Sequence, residues 1–261
     1  MTLDIQRLNL RDLGGLPTAD GRRVRPGRLL RSGALWPMTE AERAALPPLR
    51  AVYDMRSENE RQFQPDPPFP GAVYRHIAVM ESGRRELAQS KRTLEDKVDD
   101  ILNGYARGEA IASVRMREVY RRMVNSGEMC RCVGEILCLL ADKPEGAVLF
   151  HCAAGKDRTG FVAAVLLRLL GVPDGPLYRD YLYTNTALRG EIDEAERIAL
   201  ARTAGRAAAD YVRGFFLACP CWLASALSEI DRQFHSVEVY VLAQTRVTQN
   251  DLASFRTSCL L

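Results

Sequence analysis

One cysteine in this chain stands where it would act as a nucleophile. Cys152 follows the apolar stretch Ala147-Val148-Leu149-Phe150-His151 and precedes Ala153-Ala154-Gly155-Lys156-Asp157, then Arg158-Thr159-Gly160 and a run apolar nearly all round to Leu170. A strand, a short loop and an arginine at the start of a buried helix make a cradle for an anion. The backbone N–H groups of Ala153, Ala154, Gly155 and their neighbours converge with the helix N-terminus, and both carry partial positive charge. The same field favours the thiolate of Cys152. Arg158 offers a planar fork that binds two phosphate oxygens at once. Gly155 and Gly160 suit points where the backbone turns sharply or packs closely. Thr159 can donate a hydrogen bond to the Cys152 sulfur and help it leave when a phosphocysteine is hydrolysed. The chemistry expected is attack of a thiolate on a phosphomonoester. A buried structural cysteine would not require Arg158 and two glycines at these offsets.

The leaving oxygen needs an acid and the water a base, and one carboxyl can serve both steps. Loop side chains point away from a cradle whose N–H groups point inward, so Lys156 and Asp157 are expected on its rim, with Asp157 as first candidate. A carboxylate favoured by the helix dipole, or paired with Lys156, is the alternative for Asp157. Asp54, closing a predicted strand, is the second candidate, with Arg56 or a backbone amide as its structural partner instead. Lys156 would add a positive charge beside the phosphate, which suits an inositol lipid head group and equally phosphotyrosine. His151 is expected to pack and hold the loop rather than act as a base.

The elements that must position these residues can be read in outline. Strands are expected at Arg28-Leu29-Leu30-Arg31, Ala51-Val52-Tyr53-Asp54-Met55, Ala72-Val73-Tyr74-Arg75-His76-Ile77 and Ala147-Val148-Leu149-Phe150-His151. Capping boxes at Thr39/Glu42 and Thr248/Asp251 open helices. A helical pattern runs from Glu81 to Ala141 and stops at Pro144 and Gly146. The stretch from Arg158 to Leu170 reads as a buried helix ended by Gly171 and Pro173, and the chain from Pro176 onward reads as nearly all helix. Strands interleaved with helices around one buried helix predict an α/β fold with a mainly parallel central sheet flanked by helices. No repeat or long linker divides the chain, so one domain over 1–261 is expected. Residues 188–216 are expected to form amphipathic helices, either a lid over the thiolate or ordinary packed helices.

The loop pattern His-Cys-x-x-Gly-x-x-Arg-Thr-Gly resembles the signature of the protein tyrosine phosphatase superfamily. Gly155-Lys156-Asp157-Arg158 is similar to the loop of the bacterial tyrosine/serine phosphatase family related to phosphoinositide phosphatases. The segments Asn9-Leu10-Arg11-Asp12-Leu13-Gly14-Gly15, Arg28-Leu29-Leu30-Arg31-Ser32-Gly33-Ala34-Leu35 and Tyr53-Asp54-Met55-Arg56-Ser57-Glu58 resemble that family too. So do Asp180-Tyr181-Leu182-Tyr183-Thr184-Asn185 and Ser236-Val237-Glu238-Val239-Tyr240. Around His235 and Gln244-Thr245-Arg246 the family shows glycines that this sequence lacks. The resemblance implies a protein tyrosine phosphatase, dual specificity included, with a phosphocysteine intermediate and a loop aspartate as the acid. A phosphoinositide phosphatase and a phosphate-binding module without turnover are the alternatives; the cysteine, the arginine and the acid are all present.

Composition bounds the rest. The 261 residues are 47% hydrophobic with a net charge of +3, enough for a sizeable core and far from the basic footprint of a nucleic-acid binder. Neither a secretory leader nor a bilayer-length apolar run is evident, so no integral membrane segment and a cytoplasmic setting are expected. The seven cysteines form no regular framework. Cys130-x-Cys132 and Cys219-Pro-Cys221 lack companion ligands, and neither metal nor cofactor is expected. Cys138 and Cys259 are expected in the core. Arg31, Arg56 and Arg121-Arg122 are expected on solvated faces, and Arg11-Asp12 as an ion pair. The partners expected are free phosphate and a phosphorylated protein or phosphoinositide.

Overall fold

The computed structural model describes residues 4–79, 93–142, 145–203 and 205–261, so the beginning of the helical pattern at Glu81 and its stop at Pro144 lie outside the described residues. The described strands are Asp4–Ile5 (β1), Leu10–Asp12 (β2), Leu29–Ser32 (β3), Leu49–Asp54 (β4), Val73–His76 (β5) and Ala147–His151 (β6). They form one sheet in the order β1-β2-β3-β6-β4-β5. β3, β6, β4 and β5 run parallel, and β1 and β2 add an antiparallel edge. β6 lies in the middle and is buried at every position, which is why it is apolar without alternation. Ser32 and Asp54 both pair with His151, so three strands end side by side and the segments after them meet at one edge of the sheet, where ligands of open parallel sheets bind.

The helices are Glu40–Ala44 (α1), Glu58–Phe63 (α2), Leu94–Ala106 (α3), Ala112–Val124 (α4), Gly127–Asp142 (α5), Asp157–Leu169 (α6), Asp174–Ala187 (α7), Arg189–Thr203 (α8), Arg206–Phe216 (α9), Pro220–Phe234 (α10), Val237–Gln244 (α11) and Gln249–Cys259 (α12). α6 is buried at ten of its thirteen positions and ends before Gly171, whose φ of +79° suits a residue without a Cβ. Both expected capping boxes form, as do two more at Ser57/Glu60 and Thr93/Asp96. α3, α8 and α9 share a small apolar core of their own, including Val98, Leu102, Ile198 and Val212. No helix among the described residues is long and apolar enough to cross a membrane.

Several charges and one thiol sit elsewhere than expected. Arg31 and Arg56 are fully buried, because each meets a carboxylate inside the fold: Arg31 meets Asp180, and Arg56 meets Asp54 and Asp66. Arg121 and Arg122 do face solvent. Arg11 pairs with Asp180 rather than Asp12, whose carboxylate accepts the N–H groups of Gly14 and Gly27. Cys259 is buried but Cys138 is exposed. α5 buries Cys130, Val133, Leu137 and Leu140, and Cys138 shares the outer stripe with Arg131 and Asp142.

Candidate active site

The loop after β6 is shaped by what binds its carbonyls. Ala153 O accepts from the Ala34 N–H at 2.8 Å. Asn9 Nδ2 donates to Ala154 O at 3.0 Å and Gly155 O at 3.1 Å, and Arg31 Nη2 donates to Gly155 O at 2.8 Å. In a trans peptide the N–H points opposite to the C=O. Carbonyls turned to the scaffold therefore turn the N–H groups of Ala154, Gly155 and Lys156 the other way, into the bend of the loop, as an anion cradle requires. Gly155 has φ +68°, and a Cβ there would lie 2.4 Å from Ser32 O; no other residue fits. Asp180 holds the scaffold arginines in turn, bonded by Arg31 Nη1 at 2.5 Å and Arg11 Nε at 2.6 Å.

Cys152 lies at the base of the loop, almost fully buried. Thr159, in the first turn of α6, directs its hydroxyl to the Cys152 sulfur at 3.2 Å, the contact expected from its spacing. Arg158 does not extend into solvent. Its two terminal nitrogens donate to the two oxygens of Glu60 at 2.9 and 3.0 Å, and Nη1 also donates to Met55 O at 3.0 Å. Burial works against the guanidinium charge, but the Cys152 sulfur and Glu60 outweigh it and push its pKa up. Glu60 responds oppositely: burial would raise it, yet Arg158 and Ser57 lower it to about 2. Glu60 thus closes the cap of α2 and holds Arg158 with one carboxylate.

Asp54 is fully buried and belongs to a structural network. It accepts from Arg56 Nε at 2.9 Å, Arg56 Nη2 at 2.8 Å and Tyr74 Oη at 2.7 Å. Despite burial, Arg56 and His151 hold its pKa well below the usual carboxylate range, and these contacts are the structural partnership expected as the alternative to an acid role for Asp54. His151 is buried as well, with Nδ1 3.3 Å from Cys152 O and Nε2 3.1 Å from Asp66. Its position fits the expected bracing of the loop. Asp54, Asp66 and His151 bring ligand-type atoms within 4.8 Å of one another, but Arg56 is bonded to both carboxylates and supplies the positive charge there.

Asp157 opens α6 and is partly exposed. One oxygen accepts the Tyr120 hydroxyl at 2.9 Å, and the other lies 3.7 Å from Lys156 Nζ. Asp157, Lys156 and Ala154 line a cavity of about 280 Å3 whose far walls include Ile101, Glu191 and Phe215 from α3, α8 and α9. The helices of 188–216 therefore face the loop across this cavity. Lys156 is not a solvated rim residue. It is buried, its ammonium donates to Phe215 O at 2.7 Å and Leu217 O at 3.2 Å, and it lies 5.3 Å from the centre of the Trp222 ring. Free carbonyls at the end of α9 capture it. Cys219 and Cys221 lie together with sulfurs 2.7 Å apart, and Cys130 and Cys132 are buried in α5.

Local spacing brought Cys152, Thr159, Arg158 and Asp157 into view; Glu60, Asn9, Asp180 and Tyr120 were missed. Glu60 had a signal in Ser57-Glu58-Asn59-Glu60, a capping box at the end of a strand. Asp180 stands in a family-like segment, but nothing local ties it to Arg11 and Arg31; Tyr120 had no signal, because it reaches the loop only through the packing of α4.

Residues 5–261 match the tyrosine phosphatase family. A Cupriavidus necator protein that bears the name of a tyrosine-protein phosphatase is 34% identical over 89% of this chain and 80% of its own length. The triple specificity protein phosphatase PtpB of Mycobacterium tuberculosis is 32% identical over 71% of each chain. A tyrosine-protein phosphatase of Nostoc commune is 27% identical over 65% of this chain and 52% of its own. A match over nearly the whole length makes this chain a member of the tyrosine phosphatase family.

Proposed function

We propose that the protein hydrolyses phosphotyrosine in proteins through a phosphocysteine at Cys152. The Cys152 sulfur attacks phosphorus while the inward N–H groups and Arg158 hold the three other oxygens, whose charge grows in the transition state. The bond to the tyrosine oxygen breaks, and Asp157 gives that oxygen its proton. Asp157 then takes a proton from water, which attacks phosphorus; the S–P bond breaks, phosphate leaves, and the Thr159 hydroxyl stabilises the departing thiolate. The single observation that carries this reading is the Thr159 hydroxyl 3.2 Å from the Cys152 sulfur, at the base of a loop whose carbonyls are bonded away from it.

The name of the Mycobacterium tuberculosis relative, triple specificity, favours a substrate range wider than phosphotyrosine. An inositol lipid lacks such support: its ground was Lys156 as a rim cation, and that ammonium is spent on α9 carbonyls. Turnover of p-nitrophenyl phosphate tests the proposal. Wild type should turn over and Cys152→Ser should lose more than about a thousandfold in kcat. A silent wild type, or an active Cys152→Ser, overturns the assignment.

A further inference from the structure

Two buried phenols stand behind the carboxyl that this mechanism uses, and neither has a place in the mechanism. Tyr120 on α4 is fully buried, with its hydroxyl 2.9 Å from Asp157 Oδ1 and 2.7 Å from the hydroxyl of Tyr181 on α7. Tyr181 is buried too, and its ring lies so close to α6 that a Cβ on Gly160 would stand 3.0 Å from it. The second glycine of the loop motif is thus the space that lets Tyr181 reach this position. Tyr120 also packs on Trp222, the ring beneath the Lys156 ammonium. Two helices, α7 and α4, deliver one hydrogen-bonded chain to the first residue of α6.

We infer that Tyr120 is a positioning residue for Asp157: its hydroxyl, held by that of Tyr181, occupies Oδ1 and so leaves Oδ2, which among the described residues has only the Lys156 ammonium 3.7 Å away, to face the leaving group. The inference rests on the reading of Asp157 as the acid. A phenol has one proton, and an ionised carboxylate only accepts. With Asp157 charged, the chain must therefore run from the Tyr181 hydroxyl to the Tyr120 hydroxyl to Oδ1. When Asp157 takes up a proton, the Tyr120 hydrogen still points at Oδ1, so the new proton belongs on Oδ2. The phenols do not give up their own protons, since burial and then the Asp157 charge push both pKa values far above the ordinary one. They orient the acid and do not replace it.

The test is kcat/KM for phenyl phosphate, a poor leaving group, against p-nitrophenyl phosphate, a good one. Tyr120→Phe keeps the ring and removes the donor. It should lower kcat/KM about tenfold or more for phenyl phosphate and less than about threefold for p-nitrophenyl phosphate, a part of the 10²–10⁴ that a positioned acid contributes. Tyr181→Phe, which leaves the Tyr120 donor in place, should show the same order of sensitivity with a smaller loss. On an Asp157→Asn background, Tyr120→Phe should cost nothing further with phenyl phosphate. Equal losses for the two substrates, or a full additional loss on the Asp157→Asn background, overturn the inference and assign Tyr120 to packing. If Asp157→Asn itself is blind to the leaving group, it is the acid assignment that falls. A sensitive Asp157→Asn beside an insensitive Tyr120→Phe sinks the positioning role alone.

Discussion

Arg31 and Arg158 both serve the loop after β6, and each has its guanidinium held by a carboxylate, yet they do opposite work. Arg31 is fully buried, donates to Asp180 and to the Gly155 carbonyl, and shapes the loop from the scaffold side. Arg158 is paired with Glu60 at the start of α6, and about 17% of its side chain remains open to solvent. The first pair holds the carbonyls outward; in the proposed mechanism the second keeps a cation aligned where a phosphate would arrive. One guanidinium is part of the fold and the other is stored for the substrate. Burial and the identity of the acceptor separate them, since a carbonyl of the loop itself can be bonded only in a finished fold.

Replacing each arginine should break the symmetry in opposite ways. Arg158→Lys keeps a positive charge opposite Glu60 but loses the planar fork, so turnover of p-nitrophenyl phosphate should fall by about a thousandfold, roughly 4 kcal/mol of transition-state stabilisation. Its stability should stay within about 1 kcal/mol of wild type. Arg31→Met should do the reverse at the level of the fold: it strips one of two cations from buried Asp180 and leaves the Gly155 carbonyl with Asn9 as its remaining side-chain donor, at a cost of about 3 kcal/mol, or about 6–12 °C in melting temperature for a chain of this size. A melting temperature lowered more by Arg158→Lys than by Arg31→Met would show that the division between fold and substrate is drawn in the wrong place.

The same division explains what could be read without a structure. Cys152, Arg158 and Thr159 lie within one loop and one helical turn, so their spacing alone brings them together. β6 and α6 announce burial by being apolar without a polar face. Arg31, by contrast, stands in a family-like segment that does not say what it meets, and its partner Asp180 is 149 residues away; a buried pair and a solvated arginine look alike until the chain folds. Lys156 has the same ambiguity, because the carbonyls that hold it belong to residues about sixty positions later. Cys138 is a different kind of miss: Arg131 and Asp142 already marked its stripe as the outer one, and the apolar neighbours of α5 hid that pattern.

The smallest effect sharpens the comparison most, because Glu60 belongs to both halves of it. Its carboxylate accepts the Ser57 N–H that starts α2 and both ends of the Arg158 fork. Glu60→Gln keeps the size and one acceptor oxygen but removes the charge. Turnover should fall about three- to tenfold, mainly through KM, as Arg158 loses its alignment while keeping its bond to Met55 O. The pH dependence separates this from a general loss of packing. The Glu60 pKa is depressed from 4.5 in the unfolded chain to about 2 in the fold, so the stability it contributes is fully present above about pH 4.5 and is lost as the pH falls toward 2. About a third of the side chain is open to solvent, and screening leaves about 1 kcal/mol. Urea unfolding of wild type and Glu60→Gln should therefore differ by that amount at pH 6 and converge near pH 2. A difference that persists in acid would mean that the Glu60 side chain acts through its shape alone, and the Arg158 pair would then be as passive toward the fold as the Arg31 pair is toward the substrate.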